Sequence, residues 1–349
     1  MPQNNRSIKT GIIGYGYAGR IIHQQLIQAT DGLELRAVST SNPDRQTEAE
    51  RNNLIVYPNP QELIADPAIE LVVIATPHYS HAELSIEALN HGKHVVTDKI
   101  MCLTTKEADA MIQAARDNKK MLSVFHNRRW DEDFLTVRKY IGEACVEKPR
   151  IIKSYVYTDS FPQPGRWRSS RAKGGGILSD WGAHLIDQAL SLQPARVVSV
   201  YCDMQYSAKD VDVETWALCV LTFENGTRHI IETANDSHKR LKGWDILGSS
   251  SRLVCEGYDP QEAALRRGET IPDSVQQSGF TGLLYTKNQE PLPLNFIPGD
   301  WTKYYKNIVQ HLLHGEELAV KPEDARKVVQ VRELALQSAS NNIIIKTSI

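Results

Sequence analysis

The first 125 residues alternate short apolar runs with segments whose apolar residues recur at helical spacing. The apolar runs predict strands at Ser7–Ile13, Leu33–Val38, Leu71–Ala75, His94–Thr97 and Met121–Phe125. Helical spacing, with a threonine cap on the last segment, predicts helices at Ala18–Ala29, His81–Asn90 and Thr104–Asn118. Strands that alternate with helices in this way predict a doubly wound parallel sheet.

After residue 126 the pattern changes to strands with few helices between them. Strands are predicted at Ile151–Tyr157, Val197–Met204, Glu214–Phe223, His229–Thr233, Trp244–Leu247 and Arg252–Cys255. Helices are predicted at Asp133–Ile141, Leu178–Leu192, Trp301–His314 and Pro322–Ala339. The sequence therefore predicts an α/β domain at residues 1–125, followed at residues 126–349 by an α+β domain with an open, mainly antiparallel sheet.

Composition and charge restrict the class of protein. The chain of 349 residues is 41% hydrophobic and 23% charged, which excludes a disordered or coiled-coil protein. A net charge of -2 gives no reason to expect a nucleic-acid or anionic membrane partner. Apolar runs such as Leu71–Ala75 are far shorter than the roughly 20 residues of a membrane helix. With no apolar signal segment at the N-terminus, the expected location is cytoplasmic.

The cysteine and histidine pattern bears on redox state and metal binding. Five cysteines, with no close C-x-x-C pair among them, favour reduced thiols over a disulfide framework. Histidines and cysteines do not cluster at the spacings of metal ligands. We therefore expect no metal site.

A glycine-rich turn joins the first predicted strand to the first predicted helix. Gly14, Gly16 and Gly19, with Tyr17 and Ala18, form the pattern G-x-G-x-x-G. In this context the first glycine permits a tight turn, the second permits close approach of a pyrophosphate, and the third permits helix–strand packing. An ordinary tight turn is the alternative interpretation. The position between strand and helix favours a dinucleotide site.

The end of the second predicted strand bears on which dinucleotide binds. An NAD site usually has an acidic residue there, for the ribose hydroxyls. This chain has Ser39, Thr40 and Ser41, with Arg45 shortly after, and hydroxyls with a guanidinium suit the 2′-phosphate of NADP. Asp44 keeps NAD open as an alternative.

Further segments carry candidate chemistry. Asp180 and His184 share one face of a predicted helix, where a carboxylate can orient an imidazole for proton transfer, although the spacing alone favours an ordinary polar pair. Lys99 follows a predicted strand, at the end where doubly wound sheets bind ligands. Asp98, directly before Lys99, is a further cofactor candidate. The remaining candidates come after other predicted strands, and they are Thr76, Pro77 and His81 for a cofactor and Asn127, Arg128 and Trp130 for a substrate.

Taken together, these residues resemble the Gfo/Idh/MocA family of sugar and polyol oxidoreductases. The resemblance includes the glycine motif, the segment from Ala75 to His81, and Gly174-Gly175-Gly176 with the Asp180–His184 segment that follows. Within the family, His126-Asn127-Arg128-Arg129-Trp130-Asp131 is most similar to the NADP-dependent scyllo-inositol dehydrogenase branch.

This resemblance implies an N-terminal Rossmann domain and a C-terminal domain whose open sheet forms homo-oligomer contacts. It implies a catalytic trio of Lys99, Asp180 and His184, with Lys99 also beside the cofactor. Trp167 and Arg168 are further candidates for the substrate pocket. One residue departs from the family pattern, because Ile100 follows Lys99 where proline is usual.

The expected activity is hydride transfer between NADP, or NAD, and a secondary alcohol of a small cyclic polyol or sugar. Two other functions remain open on sequence alone. One is a glycosidase that uses bound NAD for transient oxidation, and the other is a dinucleotide-binding regulator that has lost catalysis.

Overall fold

Six parallel strands form the sheet of the N-terminal half in a computed structural model that describes residues 6–143, 145–269 and 278–349. The strands are β1 (Ile8–Ile13), β2 (Leu33–Ser39), β3 (Ile55–Tyr57), β4 (Leu71–Ile74), β5 (His94–Thr97) and β6 (Leu122–Val124). Their order in the sheet is β3-β2-β1-β4-β5-β6. The predicted doubly wound parallel sheet is confirmed, with β3 as a strand that the sequence pattern did not predict.

The strand order places a change of direction beside β1. The chain moves outward from β1 through β2 to β3, then returns to the other side of β1 as β4. In such sheets ligands bind at the carboxyl ends of the strands where the order reverses. The glycine motif directly follows β1, so the fold puts it at this point.

Helices connect the strands of this sheet. They are α1 (Gln24–Gln28), α2 (Pro43–Arg51), α3 (Pro60–Ala65), α4 (His81–Asn90) and α5 (Thr105–Asp117). The end of the glycine motif and the residues that follow it, Ala18–His23, form a π-helix before α1 begins. At the start of α5, the Thr104 hydroxyl accepts the Glu107 N–H, and the Glu107 carboxylate accepts the Thr104 N–H in return.

Nine strands form the second sheet. They are β7 (Ile151–Tyr157), β8 (Val197–Gln205), β9 (Trp216–Phe223), β10 (Arg228–Ala234), β11 (Leu241–Leu247), β12 (Ser251–Gly257), β13 (Phe280–Thr286), β14 (Leu292–Pro293) and β15 (Ile345–Lys346). All neighbouring pairs are antiparallel except β7 and β10, which run parallel. The predicted mainly antiparallel sheet is confirmed, but β13, β14 and β15 were not predicted.

The other α-helices among the described residues are α6 (Glu132–Gly142), α7 (Ala183–Leu192), α8 (Gln261–Arg267), α9 (Thr302–His314) and α10 (Pro322–Asn341). A π-helical turn, Leu178–Gly182, precedes α7. One face of the second sheet is buried with α6 in an apolar core that includes Phe134, Trp244 and Leu253. None of the helices among the described residues is both long and apolar enough to cross a bilayer.

The chain divides into two compact units that are not continuous in sequence. The first comprises the described parts of Met1–Asn127, Gln261–Ser274 and Asp300–Arg326, and the second comprises the rest. Two segments of the C-terminal half therefore belong to the first unit. The predicted domains at 1–125 and 126–349 are consecutive, and they place both segments in the second domain. Within that unit, Tyr304 donates to the Ser123 hydroxyl, and Ser123 donates to the Val320 carbonyl.

Candidate active site

The glycine motif lies where three strand ends of the first unit meet. Gly14 has a positive φ of 93°, and its N–H donates to the Ser39 carbonyl at the end of β2. A Cβ atom on Gly14 would lie 2.5 Å from the Ala75 carbonyl oxygen, just after β4. No residue with a side chain fits there, because both the backbone conformation and the space exclude it. Gly14, Ser39 and Thr76 are therefore close together, as their strand-end positions predict.

Gly16 and Arg45 meet across this motif. A Cβ atom on Gly16 would have one neighbour within 4 Å, the Arg45 Nη1 atom at 3.5 Å, so the loop backbone is open on that side. Arg45 lies in the first turn of α2, and Asn42 caps this helix because its side chain accepts the Arg45 N–H. An open glycine backbone beside a guanidinium fits the phosphates of a nicotinamide dinucleotide.

The hydroxyl residues after β2 differ in exposure. Ser39 is buried, Thr40 is nearly so, and Ser41 is exposed. The Thr40 hydroxyl accepts the Asn42 N–H at 3.3 Å, so it lies at the start of the helix that carries Arg45. The four candidates for a 2′-phosphate therefore lie between the last residue of β2, Ser39, and the first turn of α2, which carries Arg45. A contact of each with the cofactor stays a prediction.

Tyr17 has partners that sequence reasoning missed. Its hydroxyl donates to Glu262 at 2.9 Å and accepts from Arg266 Nε at 2.5 Å, and both residues lie on α8. The Arg266 guanidinium also lies 5.1 Å from the centroid of the Tyr17 ring. The separation of about 250 residues along the chain explains why no local pattern indicated this contact.

Hydrogen bonds of Asp98 fix the segment that carries Lys99. The Asp98 carboxylate accepts the Lys99 N–H at 2.7 Å, and the Asp98 N–H donates to the Ile74 carbonyl. Burial acts to raise the pKa of Asp98, but His23, whose Nε2 atom is 3.8 Å away, lowers it to about 2. Asp98 is therefore ionised at neutral pH, and its carboxylate holds the main chain of the half-buried Lys99.

His81 connects the ends of two strands. Its Nδ1 atom lies 2.7 Å from the Ile100 carbonyl oxygen and its Nε2 atom 2.9 Å from that of Thr76. The ring is fully buried, and burial lowers its pKa. The Lys99–Ile100 peptide bond is cis. In the structure His81 therefore hydrogen-bonds the backbone next to Lys99. A direct contact of His81 with a cofactor stays a prediction.

In the second unit, Asp180 lies on the π-helical turn and His184 on the first turn of α7. The start of this helix is held by Glu214, whose carboxylate accepts the Leu178 N–H at 2.9 Å. Gly176 has a φ of 99°, and a Cβ there would lie 2.3 Å from Glu214 Oε1, so glycine is required. Burial raises the pKa of Glu214. Sequence reasoning missed this role of Glu214, which it predicted as the first residue of a strand, whereas β9 begins at Trp216.

Arg128 and His184 are brought together through Trp181. The Arg128 guanidinium carbon lies 4.1 Å from the centroid of the Trp181 ring, a cation–π contact. The Trp181 and His184 ring centroids are 5.9 Å apart, with the planes inclined at 61°. His184 is 6% exposed and Arg128 is 9% exposed. A largely buried imidazole therefore lies beside an indole ring that the Arg128 guanidinium also contacts. Imidazole is the side chain that most often acts in general acid–base chemistry.

The other substrate candidates occupy different positions. Asn127 is buried and Trp130 is half-buried on a short 3₁₀ turn with Arg128. Trp167 and Arg168 pair with each other at 4.3 Å on a loop of the second unit. Contact of these four residues with a substrate stays a prediction. Within the described part of the chain, no group of three or more His, Cys, Asp or Glu side chains could hold a metal ion.

Comparison with known proteins identifies the family. Residues 8–126 match the model of the oxidoreductase family with an NAD-binding Rossmann fold, and residues 134–254 match the Gfo/Idh/MocA C-terminal domain. The chain belongs to the Gfo/Idh/MocA family. It is accordingly an NAD(P)-dependent oxidoreductase, and the resemblance found in its sequence is confirmed.

Individual relatives match over nearly the whole chain. The scyllo-inositol 2-dehydrogenase (NADP(+)) IolW of Bacillus subtilis is 32% identical, over 95% of this chain and 94% of that protein. The myo-inositol 2-dehydrogenase of Thermotoga maritima is 25% identical, over 97% and 98%. The solved structure of yvaA from Bacillus subtilis superposes with a TM-score of 0.91 at 29% identity, covering 99% of each chain.

Proposed function

We propose that this protein is an NADP-dependent dehydrogenase that interconverts a secondary alcohol of a cyclic polyol or sugar, of the scyllo-inositol type, with its ketone. The observation that carries the proposal is the buried His184 beside Trp181, whose ring the Arg128 guanidinium also contacts. An imidazole there can take a proton from a ring hydroxyl, while the guanidinium binds neighbouring hydroxyl groups. The two inositol dehydrogenases among the relatives support this substrate class.

Each residue of the trio has one role in the proposed reaction. The His184 imidazole accepts the hydroxyl proton of the alcohol, and Asp180 orients His184. The Lys99 ammonium donates to the substrate oxygen and stabilises its developing negative charge. When bound, the nicotinamide supplies the acceptor for the hydride. In the reverse direction, His184 returns the proton to the ketone oxygen.

A substrate screen tests the proposal. The purified protein is offered a panel of inositols and monosaccharides with NADP and with NAD, and absorbance of the reduced nicotinamide is followed. We expect stoichiometric cofactor reduction with at least one inositol. Dinucleotide binding without turnover on any member of the panel would instead indicate a regulator, and hydrolysis of glycosides without net cofactor consumption would indicate a glycosidase.

NADPH should bind more tightly than NADH. Arg45, beside Gly16, supplies a guanidinium, and no acidic residue occupies the positions of Ser39, Thr40 and Ser41. Arg45→Ala should weaken NADPH binding by about 10- to 100-fold, the range for one charge-assisted hydrogen bond, and leave NADH binding nearly unchanged. Calorimetric titration with both dinucleotides measures this.

The matched control for Arg45→Ala is Arg51→Ala, in the last turn of the same helix α2. It removes the same charge and should leave both affinities unchanged. Thr40→Asp should shift the preference toward NADH by repelling the 2′-phosphate. Tighter binding of NADH than NADPH by the parent protein would contradict the assignment and point to Asp44 as the ribose ligand.

The outer face of the nine-stranded sheet is proposed to bind a second copy of this chain. Half-exposed apolar side chains alternate with buried ones on β9 and β10, among them Leu218, Val220 and Ile230, with Val220 and Ile230 directly paired. Val220→Asp should convert the oligomer to monomer in light scattering. Ser250→Asp, on the exposed turn after β11, adds the same charge and should leave the mass unchanged. A monomeric parent protein would contradict the proposal.

A further inference from the structure

A buried set of four charged side chains in the second unit consists of Lys242, Asp131, Asp133 and Arg128. The Lys242 ammonium donates to Asp131 at 2.7 Å and to Asp133 at 3.0 Å. Arg128 Nη1 donates to the same Asp131 oxygen at 3.2 Å. The lysine side chain is 1% exposed, and both aspartates are completely buried. Two cations and two anions balance one another inside the protein, as buried charges must.

Lys242 remains charged in this environment. Burial alone would lower the pKa of Lys242, but Asp131 and Asp133 together raise it above its ordinary value. Its ammonium also lies 5.5 Å from the centroid of the Phe280 ring. A neutral polar side chain would satisfy hydrogen bonds without balancing two carboxylates, so the charge itself is what this position requires.

We propose that Lys242 is a positioning residue for the substrate pocket: through Asp131 it fixes the Arg128 guanidinium on Trp181, beside His184. The contacts follow one another: the Lys242 ammonium lies 2.7 Å from Asp131, which also accepts from Arg128. The Arg128 guanidinium carbon lies 4.1 Å from the centroid of the Trp181 ring, and that centroid is 5.9 Å from the centroid of the His184 ring. Without the ammonium, Arg128 alone has to neutralise Asp131 and Asp133, and the guanidinium is drawn off the indole. The inference rests on the proposed function in assigning Arg128 to the substrate.

The two aspartates provide a matched pair of test variants. Asp131 accepts from both Lys242 and Arg128, whereas Asp133 accepts from Lys242 and from the Trp244 indole N–H at 2.8 Å. Asp131→Asn and Asp133→Asn each neutralise one buried carboxylate that faces the same ammonium. They differ because Asp131→Asn alters the acceptor of the Arg128 guanidinium, whereas Asp133→Asn alters the acceptor of the Trp244 indole.

Steady-state kinetics with the polyol substrate test the inference. Asp131→Asn and Lys242→Met should raise KM about 10- to 100-fold, the loss expected when a substrate-positioning group moves by about 1 Å, with a smaller change in kcat. Lys242→Arg retains the charge and should recover most of the affinity. Asp133→Asn should lower the melting temperature but leave KM within about threefold of the parent value. An equal rise in KM for both asparagine variants would show a merely structural network and overturn the proposal.

A crystal structure of Asp131→Asn provides a test that needs no substrate. The Arg128–Trp181 separation should increase from 4.1 Å to beyond the roughly 6 Å limit of a cation–π contact. If Arg128 stays on Trp181, the positioning role is wrong, whatever the reaction is. If Arg128 moves but the parent protein oxidises no polyol, the proposed function is wrong and the positioning role stands. Should Lys242→Met fail to fold, the asparagine pair and Lys242→Arg still decide the matter.

Discussion

Replacement of Lys99 by alanine is expected to lower kcat for polyol oxidation by about 10³-fold. The lysine follows β5 at the carboxyl edge of the parallel sheet, and its main chain is fixed by Asp98. A group held in place before the reaction stabilises developing negative charge on the substrate oxygen without reorganisation. Removal of the ammonium leaves that charge without its main counterion, so the loss appears in kcat.

Lys106→Ala is the control for this prediction, because Lys106 is an exposed lysine on the next helix, α5. It should retain the parent activity. Lys99→Arg tests geometry as well as charge: a planar guanidinium is wider than an ammonium and should recover only part of kcat. A Lys99→Ala protein with nearly full turnover would exclude Lys99 from the chemistry and favour the regulator interpretation.

The N-terminal unit could be predicted closely because its signals are local. Buried parallel strands such as β4 are continuous apolar runs, and the turn after β1 requires glycine for steric reasons at Gly14. Gly14, Ser39 and Thr76 lie close together because each stands at the carboxyl end of a strand of the same sheet. Thus the positions of ligand-binding candidates follow from strand order, which alternation in the sequence reveals.

Other features depend on contacts between residues far apart in the sequence. β14 and β15 have two residues each, too few for a period of two to be recognised. The contact of Tyr17 with Arg266 depends on a segment that returns to the first unit. A pattern read along the chain contains no information about such pairings.

Lys242 illustrates the same limit at the candidate site. The sequence predicted a strand at Trp244–Leu247, yet the structure begins β11 at Leu241 and so includes Lys242. A lysine within a strand is ordinarily exposed, and its buried position becomes intelligible only with Asp131, 111 residues earlier. Asp131 belongs to the motif that carried the family resemblance, so the motif indicated one half of the network.

Replacement of His184 by alanine is expected to lower kcat/KM by about 10²- to 10⁴-fold, the usual range for loss of a general acid–base group. The affinity for NADPH should hardly change, since His184 lies on α7 of the second unit, whereas the dinucleotide candidates belong to the first. His238→Ala, on an exposed loop of the second unit, is the matched control and should be fully active.

The pH dependence of the His184→Ala protein distinguishes a catalytic base from a structural histidine. Without an internal base, oxidation depends on hydroxide or on the small fraction of ionised alcohol, so log(kcat/KM) should rise with pH at a slope of about one. The parent protein should instead reach a plateau once its base is deprotonated. Because Trp181 contacts both His184 and Arg128, loss of the imidazole could also disturb the indole. His184→Gln, which better preserves the ring contact, should therefore show the same loss of kcat and the same slope; near-parental turnover in both variants would leave His184 as a packing residue.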